Sequence, residues 1–459
     1  MCNRLYNQMY KGIRSKSGFP PKSLALLLIA FGAVAGIQKA LADTPSLQWA
    51  KGQGTALGEH VIEGIQTSDG GFCLVGKTDE PGREWSDGLV IKIDDQGDLE
   101  WQRSIGLRKS QEEARCICEV EDGYLVGGTL SNQRKKSQAG VCKLDRGGKV
   151  RWTMLVPHAR FGAVRGLAVG RDGNLIGTGY TDFEDREIPF IAEEAVGLLF
   201  AADEGGNLKW QRQLPVVQGS KVEVDPNTGA IAVCGTEWRG MGEEDAEEGQ
   251  NEQESEAQEG EGEASGDEGE HQDGCLLLMD ARGRQEGLHY YGGSGMDQFF
   301  DMEPTDDGWV LAGHSTSGGT GWDAWIVRVD KKGELLWQKR FGQPLGGDEA
   351  LIFDECYGVK QASDGGYVMA CGSGVEPDNI QNENDKRNVW AAYLIKTDDS
   401  GNRQWEYTYH RPDAGHNACE WVIPVREGGY LMLLDSDHLG DAAEENIGLL
   451  KLGKSVEDS

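Results

Sequence analysis

Past the first forty residues, the sequence has no stretch with the periodicity of a long amphipathic helix, which leaves strands as the means of building a core. Proline is scarce, 13 residues against 67 glycines, so tight turns dominate over proline-rich disorder. Positive charge is in deficit: 45 Lys and Arg face 77 Asp and Glu. Such a chain repels phosphate backbones and anionic lipid, which excludes nucleic acid and membrane surfaces as natural partners and favours cations or a basic protein. No Ser, His and acid constellation recurs in a recognisable nucleophile motif, and the few histidines are scattered.

The one long apolar run, "SLALLLIAFGAVAGI" (23–37), follows an acid-free basic region containing Arg4, Lys11, Arg14, Lys16 and Lys22. It precedes Ala40-Leu41-Ala42, an A-x-A cleavage site. Residues 1–42 therefore read as a signal peptide, with an uncleaved anchor as the alternative, and the processed chain is expected in the periplasm or outside the cell. Without that segment 39 basic residues remain against 77 acidic ones, a net charge of −38. Nine cysteines also remain, an odd number with no small-domain spacing, so at least one thiol is free or paired between molecules.

Gly71 to Thr78 matches the phosphate-cradling pattern G-x-x-x-x-G-K-T. Its variable residues, Phe72 to Val75, form the body of a short strand rather than a loop entering a helix. Related stretches at 121–131, 171–182, 306–317, 363–374 and 427–437 keep the acidic-Gly turn and the strand but drop the lysine, and 227–237 is a weaker copy. The match is accidental, and nucleotide binding is not expected.

A second element follows each copy: an apolar strand, an Asp-x-x-Gly hairpin, then a strand with Trp four residues after the Gly. Asp94/Gly97, Asp145/Gly148, Asp203/Gly206, Asp280/Gly283, Asp330/Gly333 and Asp398/Gly401 fill the turn, where Asp accepts N–H groups and Gly takes the left-handed position. Calcium ligation by these aspartates is the alternative, but no copy shows the full calcium-loop spacing. With one more strand ahead of each acidic-Gly turn, such as 60–67 or 299–305, the unit has four strands and a period near ~50 residues, which predicts an all-β fold, a β-propeller. Trp101, Trp152, Trp210, Trp337 and Trp405 close successive units, while the fourth unit ends instead in "GLHYYGG". Trp49 stands alone near the start, and the last unit lacks a fourth strand. The prediction is a single seven-bladed domain over 43–459, its last blade closed by the N-terminal strand and its Trp residues wedged between blades.

These repeats resemble those of a widespread class of secreted bacterial β-propeller repeat proteins, of which residues 306–342 are the nearest copy; the resemblance covers about 46–453. It implies the propeller fold and export, not a reaction. The D-x-x-G-x-x-x-W element is also similar to repeats of quinone-dependent alcohol dehydrogenases, which carry adjacent cysteines. Here Cys116 and Cys118 are separated by Ile117.

Three features could carry chemistry. Residues 243–273 in the fourth unit hold fifteen Asp or Glu, no Lys or Arg and no aromatics, which predicts a disordered acidic insertion, a solvated loop or else a weak Ca²⁺ sponge or a docking segment for a basic protein. Cys234 and Cys275 flank that insertion, and a disulfide there would staple its base, although Cys234 aligns with Cys371 and Gly313 in a slot that suits a small residue. Cys356, Cys419 and His416 fall where inner strands should approach the channel and could form a three-ligand metal site, with packing as the competing role of the thiols. His314 sits at a strand end, where a surface role is expected. The leading expectation is a non-catalytic binding or scaffolding propeller without a cofactor, contacting a protein or carbohydrate through its blade-connecting loops. The alternative is an enzyme at the channel mouth, a quinone- or metal-dependent oxidoreductase or a polysaccharide lyase.

Overall fold

A computed structural model describes residues 44–455 apart from 55–56, 80–85, 107–109, 132–136, 159, 184–194, 241–269, 320, 347–351, 376–389, 411–414 and 440–445. The expected signal peptide and most of the acidic insertion thus lie outside the described residues. Twenty-eight strands, β1 to β28 in chain order, form seven antiparallel four-stranded sheets, and no helix occurs among the described residues. The first six blades span 58–105, 113–155, 161–213, 218–291, 297–341 and 353–409. In the seventh, β1 (Leu47–Gln53) pairs antiparallel with β28 (Asn446–Leu452), so both ends of the chain share one sheet and the ring closes by hydrogen bonds.

The repeat motif explains the local structure. Asp94 Oδ1 accepts N–H groups from Gln96 and Asp98, and Gly97 adopts a φ of 81°, which lets four residues reverse the chain. The same aspartate-to-backbone bonds recur at Asp145, Asp203, Asp280, Asp330 and Asp398, so these carboxylates are engaged within their own turns. The basic residue two positions before the hairpin Asp has a role as well. Lys92 reaches Asp69 at 3.2 Å and Lys396 reaches Asp364 at 2.7 Å, with Lys143–Asp122 and Arg328–Asp307 as the equivalents. Each pair ties the third strand to the acidic-Gly turn of its own blade.

Blades adhere through seven apolar clusters, one at each junction of neighbours. At the rim, the Trp of one blade lies on the hairpin Gly of the next. A Cβ on Gly97, Gly148, Gly206, Gly283 or Gly401 would fall within 2.9 Å of Trp49, Trp101, Trp152, Trp210 or Trp337 respectively. Those five indoles are half-buried; Trp405 alone is buried, its ring 5.6 Å from Tyr430 of the seventh blade. In the fourth blade His289 takes the place of the missing Trp and lies on Gly333.

Connections differ sharply between the two faces. On the face carrying the acidic-Gly turns and hairpins they are two to six residues long. On the other face they run from four residues to twenty-nine, the longest leading from β15 (Ile231–Gly240) to β16 (Glu270–Met279). Residues 270–273, expected within the disordered insertion, instead extend β16 and pair with Glu237 to Gly240.

Candidate functional site: the mouth of the central channel

The first strand of every blade lines the channel: β2 (Gly58–Gln66), β6 (Glu113–Val120), β10 (Phe161–Val169), β14 (Gln218–Val224), β18 (Asp297–Thr305), β22 (Phe353–Gln361) and β26 (Asn417–Pro424). Each is interrupted at the same place. The pairing with its neighbour skips one residue, and the skipped residues are Ile62, Arg115, Arg165, Ser220, Phe300, Tyr357 and Glu420. A bulge leaves its extra residue outside the ladder and re-aims the side chain. Here one side chain per blade enters a cavity of about 200 Å³ at the channel mouth, on the face with the long connections.

In the first five blades a glycine faces the bulge. A Cβ on Gly76, Gly128, Gly179, Gly235 or Gly313 would lie 1.7–2.2 Å from a carbonyl oxygen of the bulged strand. The small-residue slot of the fourth blade is therefore Gly235, one residue beyond the Cys234 expected from the sequence, because Gly235 pairs with Gly219 as Gly313 pairs with Phe299.

Below the bulges the channel is closed. Lys221 of the fourth blade donates to Glu63 of the first at 3.0 Å; since these blades are not neighbours, the bridge crosses the channel. Lys360 donates to Asp301 at 2.6 Å and pairs with Glu303 at 2.8 Å. The Trp421 ring lies 5.0 Å from the Lys221 ammonium and 4.3 Å from that of Lys360. Burial opposes the charge on Lys221, but Glu63, Asp301 and Glu223 outweigh it and raise its pKa well above the ordinary value. Burial, with Glu303 beside it, pushes Glu223 up to about 8. The bridge divides the channel into the mouth and a second pit of about 390 Å³ on the hairpin face.

The mouth itself is strongly charged. Although burial lowers the pKa of His60, Asp435 at 3.0 Å and Asp79 at 3.6 Å raise it to about 10, making an imidazolium. Asp435 also accepts the Val61 N–H at 2.9 Å, tying the seventh blade to the first. Arg165 is lowered to about 9 by burial and by Arg115 alongside. His314, expected at the surface, is buried under the aromatic side of the mouth, 4.8 Å from the Phe300 ring and 4.5 Å from that of Trp322. Burial lowers it to about 3. Lys77, the lysine of the phosphate-loop look-alike, sits within β3 (Phe72–Asp79) and also lines the mouth.

The sequence-derived site residues fare differently. Cys356 and Cys371 pack in the cluster between the fifth and sixth blades and Cys419 in that between the sixth and seventh, close enough to influence one another, and burial raises the pKa of Cys371 and Cys419. His416 is elsewhere, packed on Trp390 at 5.8 Å, so the three do not share a site. Among the described residues no cluster of three or more His, Cys, Asp or Glu side chains could hold a metal ion. Cys234 and Cys275 are both free thiols. Cys234 pairs with Leu276 and Cys275 with Gly235, so their side chains face opposite sides of the sheet and enter different inter-blade cores, which removes the disulfide. Eight of the nine described thiols are buried, Cys118 being the exception. Ellman's reagent should therefore detect at most one fast-reacting thiol in native 43–459 and nine after non-reducing denaturation. A denatured count of seven or fewer would restore a disulfide.

The channel residues themselves are hard to find by sequence. Measured from the first core residue after the acidic-Gly turn, the bulge lies nine to eleven positions upstream, as in Arg115 before Tyr124 and Ser220 before Ile231. Variable turn length blurs an otherwise regular slot.

No protein-family model and no curated protein sequence matches the chain. Among solved structures it is similar to the Pan2 WD40 domain of Neurospora crassa, with 10% identity, 90% of this chain and 97% of that chain covered, and a TM-score of 0.50. It is also similar to the Dos1 propeller, at 10% identity, 90% and 96% coverage and a TM-score of 0.44. At such identity the likeness to the Pan2 domain shows the fold alone, a β-propeller.

Proposed function

We propose that the protein is an exported, non-catalytic recognition module that takes its ligand at the channel mouth. Every connection longer than six residues lies on the mouth face, and this one-sidedness carries the reading, because binding contacts concentrate in loops held by a rigid scaffold. The crossing bridge between Glu63 and Lys221 supports it too, since a blind pit suits capture and release from one side. The acidic segment 241–269 joins β15 to β16, whose linked ends are at the mouth face, so a basic protein drawn to its charge would be brought near the mouth.

The test is retention of candidate proteins and glycans on immobilised 43–459, compared with Tyr357→Ala at the mouth and Lys332→Ala on the opposite face. A specific ligand should be lost with Tyr357→Ala and kept with Lys332→Ala. Retention insensitive to Tyr357, or a stoichiometric transition metal or quinone in the purified protein, would overturn the proposal. The same elemental measurement on protein lacking 241–269 tests whether calcium is held by the acidic segment.

A further inference from the structure

The seven bulge side chains divide by chemistry around the ring. Arg115, Arg165 and Ser220 come from three consecutive blades, the second to the fourth, whereas Phe300 and Tyr357 come from the next two, with Trp421 of the seventh at the floor. The first group holds hydrogen-bonding capacity that the protein leaves unsatisfied. Arg115 Nη2 donates to Glu113 at 3.2 Å, but Arg115 Nε is buried without a partner on a side chain only 10% exposed. Ser220 Oγ likewise has none at 4% exposure, and the buried Tyr180 hydroxyl, outside the cavity lining but within electrostatic reach of the two guanidiniums, has none either. Buried donors of this kind are uncommon in folded proteins and mark the place of an absent acceptor.

Charge says which acceptor. His60 in the mouth is answered by Asp435 and Lys221 by Glu63. Over the whole cavity lining five cationic side chains, His60, Lys77, Arg115, Arg165 and Lys221, face four carboxylates, Glu63, Glu113, Glu420 and Asp435, with Glu113 beside the arginines. The arrangement suits a single negative charge and disfavours a dianion so close to Glu113. Planar guanidinium groups match a carboxylate in geometry. The cavity of about 200 Å³ lies below the roughly 300–1,000 Å³ that holds drug-sized molecules, so it accommodates one ring or short chain beside the acid group.

We infer that the mouth binds the carboxylate of a small organic acid through Arg115, Arg165 and Ser220, with the acid's apolar body against Phe300, Tyr357 and Trp421. This inference rests on the mouth being the recognition site. The carboxylate can belong to a free metabolite or to the C-terminal residue of a protein, and the two sources are separable by experiment.

Binding to 43–459 would be measured by saturation-transfer NMR and calorimetry with four probes: 3-phenylpropionate, its amide, N-acetylphenylalanine as a chain-end mimic, and inorganic phosphate. The expected result is saturable binding of phenylpropionate, about tenfold or more weaker for the amide, and a similar loss in Arg115→Gln at unchanged thermal unfolding. Ser220→Ala, which removes only a hydroxyl, should weaken the acid several-fold and serves if Arg115→Gln fails to fold. Tighter binding of N-acetylphenylalanine assigns the site to a protein terminus; weaker binding assigns it to a free acid. Equal binding of acid and amide, strongest binding of phosphate, indifference to both substitutions, or no saturable binding would each overturn the inference. If the acid fails to bind while a larger ligand is still lost with Tyr357→Ala, the recognition site stands and only its ligand chemistry is wrong.

Discussion

Replacing Lys221 by alanine should cost about 3–5 kcal/mol of stability, read as a lower denaturant midpoint for 43–459. The ammonium sits among Glu63 at 3.0 Å, Asp301 at 3.8 Å and Glu223, all converging from different blades. Without it, buried carboxylates would face one another with Lys360 as the remaining cation of the closure, and Trp421 would lose one of its two cationic neighbours. A charge left buried without its partner accounts for most of such a loss. The size of the effect should therefore depend on the acids that remain. Lys221→Met combined with Glu63→Gln removes one charge of each sign and keeps volume, so it should recover a good part of the stability lost in Lys221→Met alone. If Lys221→Ala costs less than about 1 kcal/mol, the bridge is screened by water as a surface pair would be, and the channel is not sealed at that level.

The propeller was legible because its determinants are local and repeated. Asp94 and Gly97 make a hairpin whatever surrounds them, and five further copies make chance an untenable explanation. Trp49 was legible as a closing strand since a unit without a fourth strand and a strand without a unit must be the same blade, and β1 pairs with β28. What escaped was decided by register. A shift of one residue separates Cys234 from Gly235 and turns a thiol into the opposite face of its sheet, a difference invisible to an alignment that tolerates one slip. The bulges of the inner strands are also single-residue events, with no residue type of their own: Ile62, Arg115, Phe300 and Glu420 share a position and nothing else. Glu63 and Lys221 are 158 residues apart and meet only because the ring closes. No local pattern could pair them. The metal trio failed for a related reason, because Cys356 and Cys419 are drawn into inter-blade cores while His416 stays against Trp390.

Gly313→Ala offers the sharpest test of how the mouth is built. A Cβ there would stand 1.7 Å from the carbonyl oxygen of Gln298, a backbone atom held in the pairing of β18 with β19 (Gly308–Ser315). The added methyl cannot be accommodated by a side-chain rotation, so the two strands must separate or the bulge between Phe299 and Asp301 must flatten. The expected cost is about 3 kcal/mol, the upper part of the usual range for overpacking. Gly365→Ala is the contrast: its φ of 86° disfavours a side chain, but nothing lies within 4 Å, so it should cost only about 1 kcal/mol. Flattening the bulge would also withdraw Phe300 from the mouth, so Gly313→Ala should weaken binding of an acid with an apolar body while leaving Arg115 and Arg165 untouched. The last two blades carry Cys371 and Leu434 in the equivalent slot and still form the bulge, so the slot can admit a Cβ where the surrounding strands are built for one. A cost below about 1 kcal/mol with intact binding would mean that the fifth blade can adopt the same arrangement, and that glycine in the first five blades is a preference rather than a requirement of the mouth.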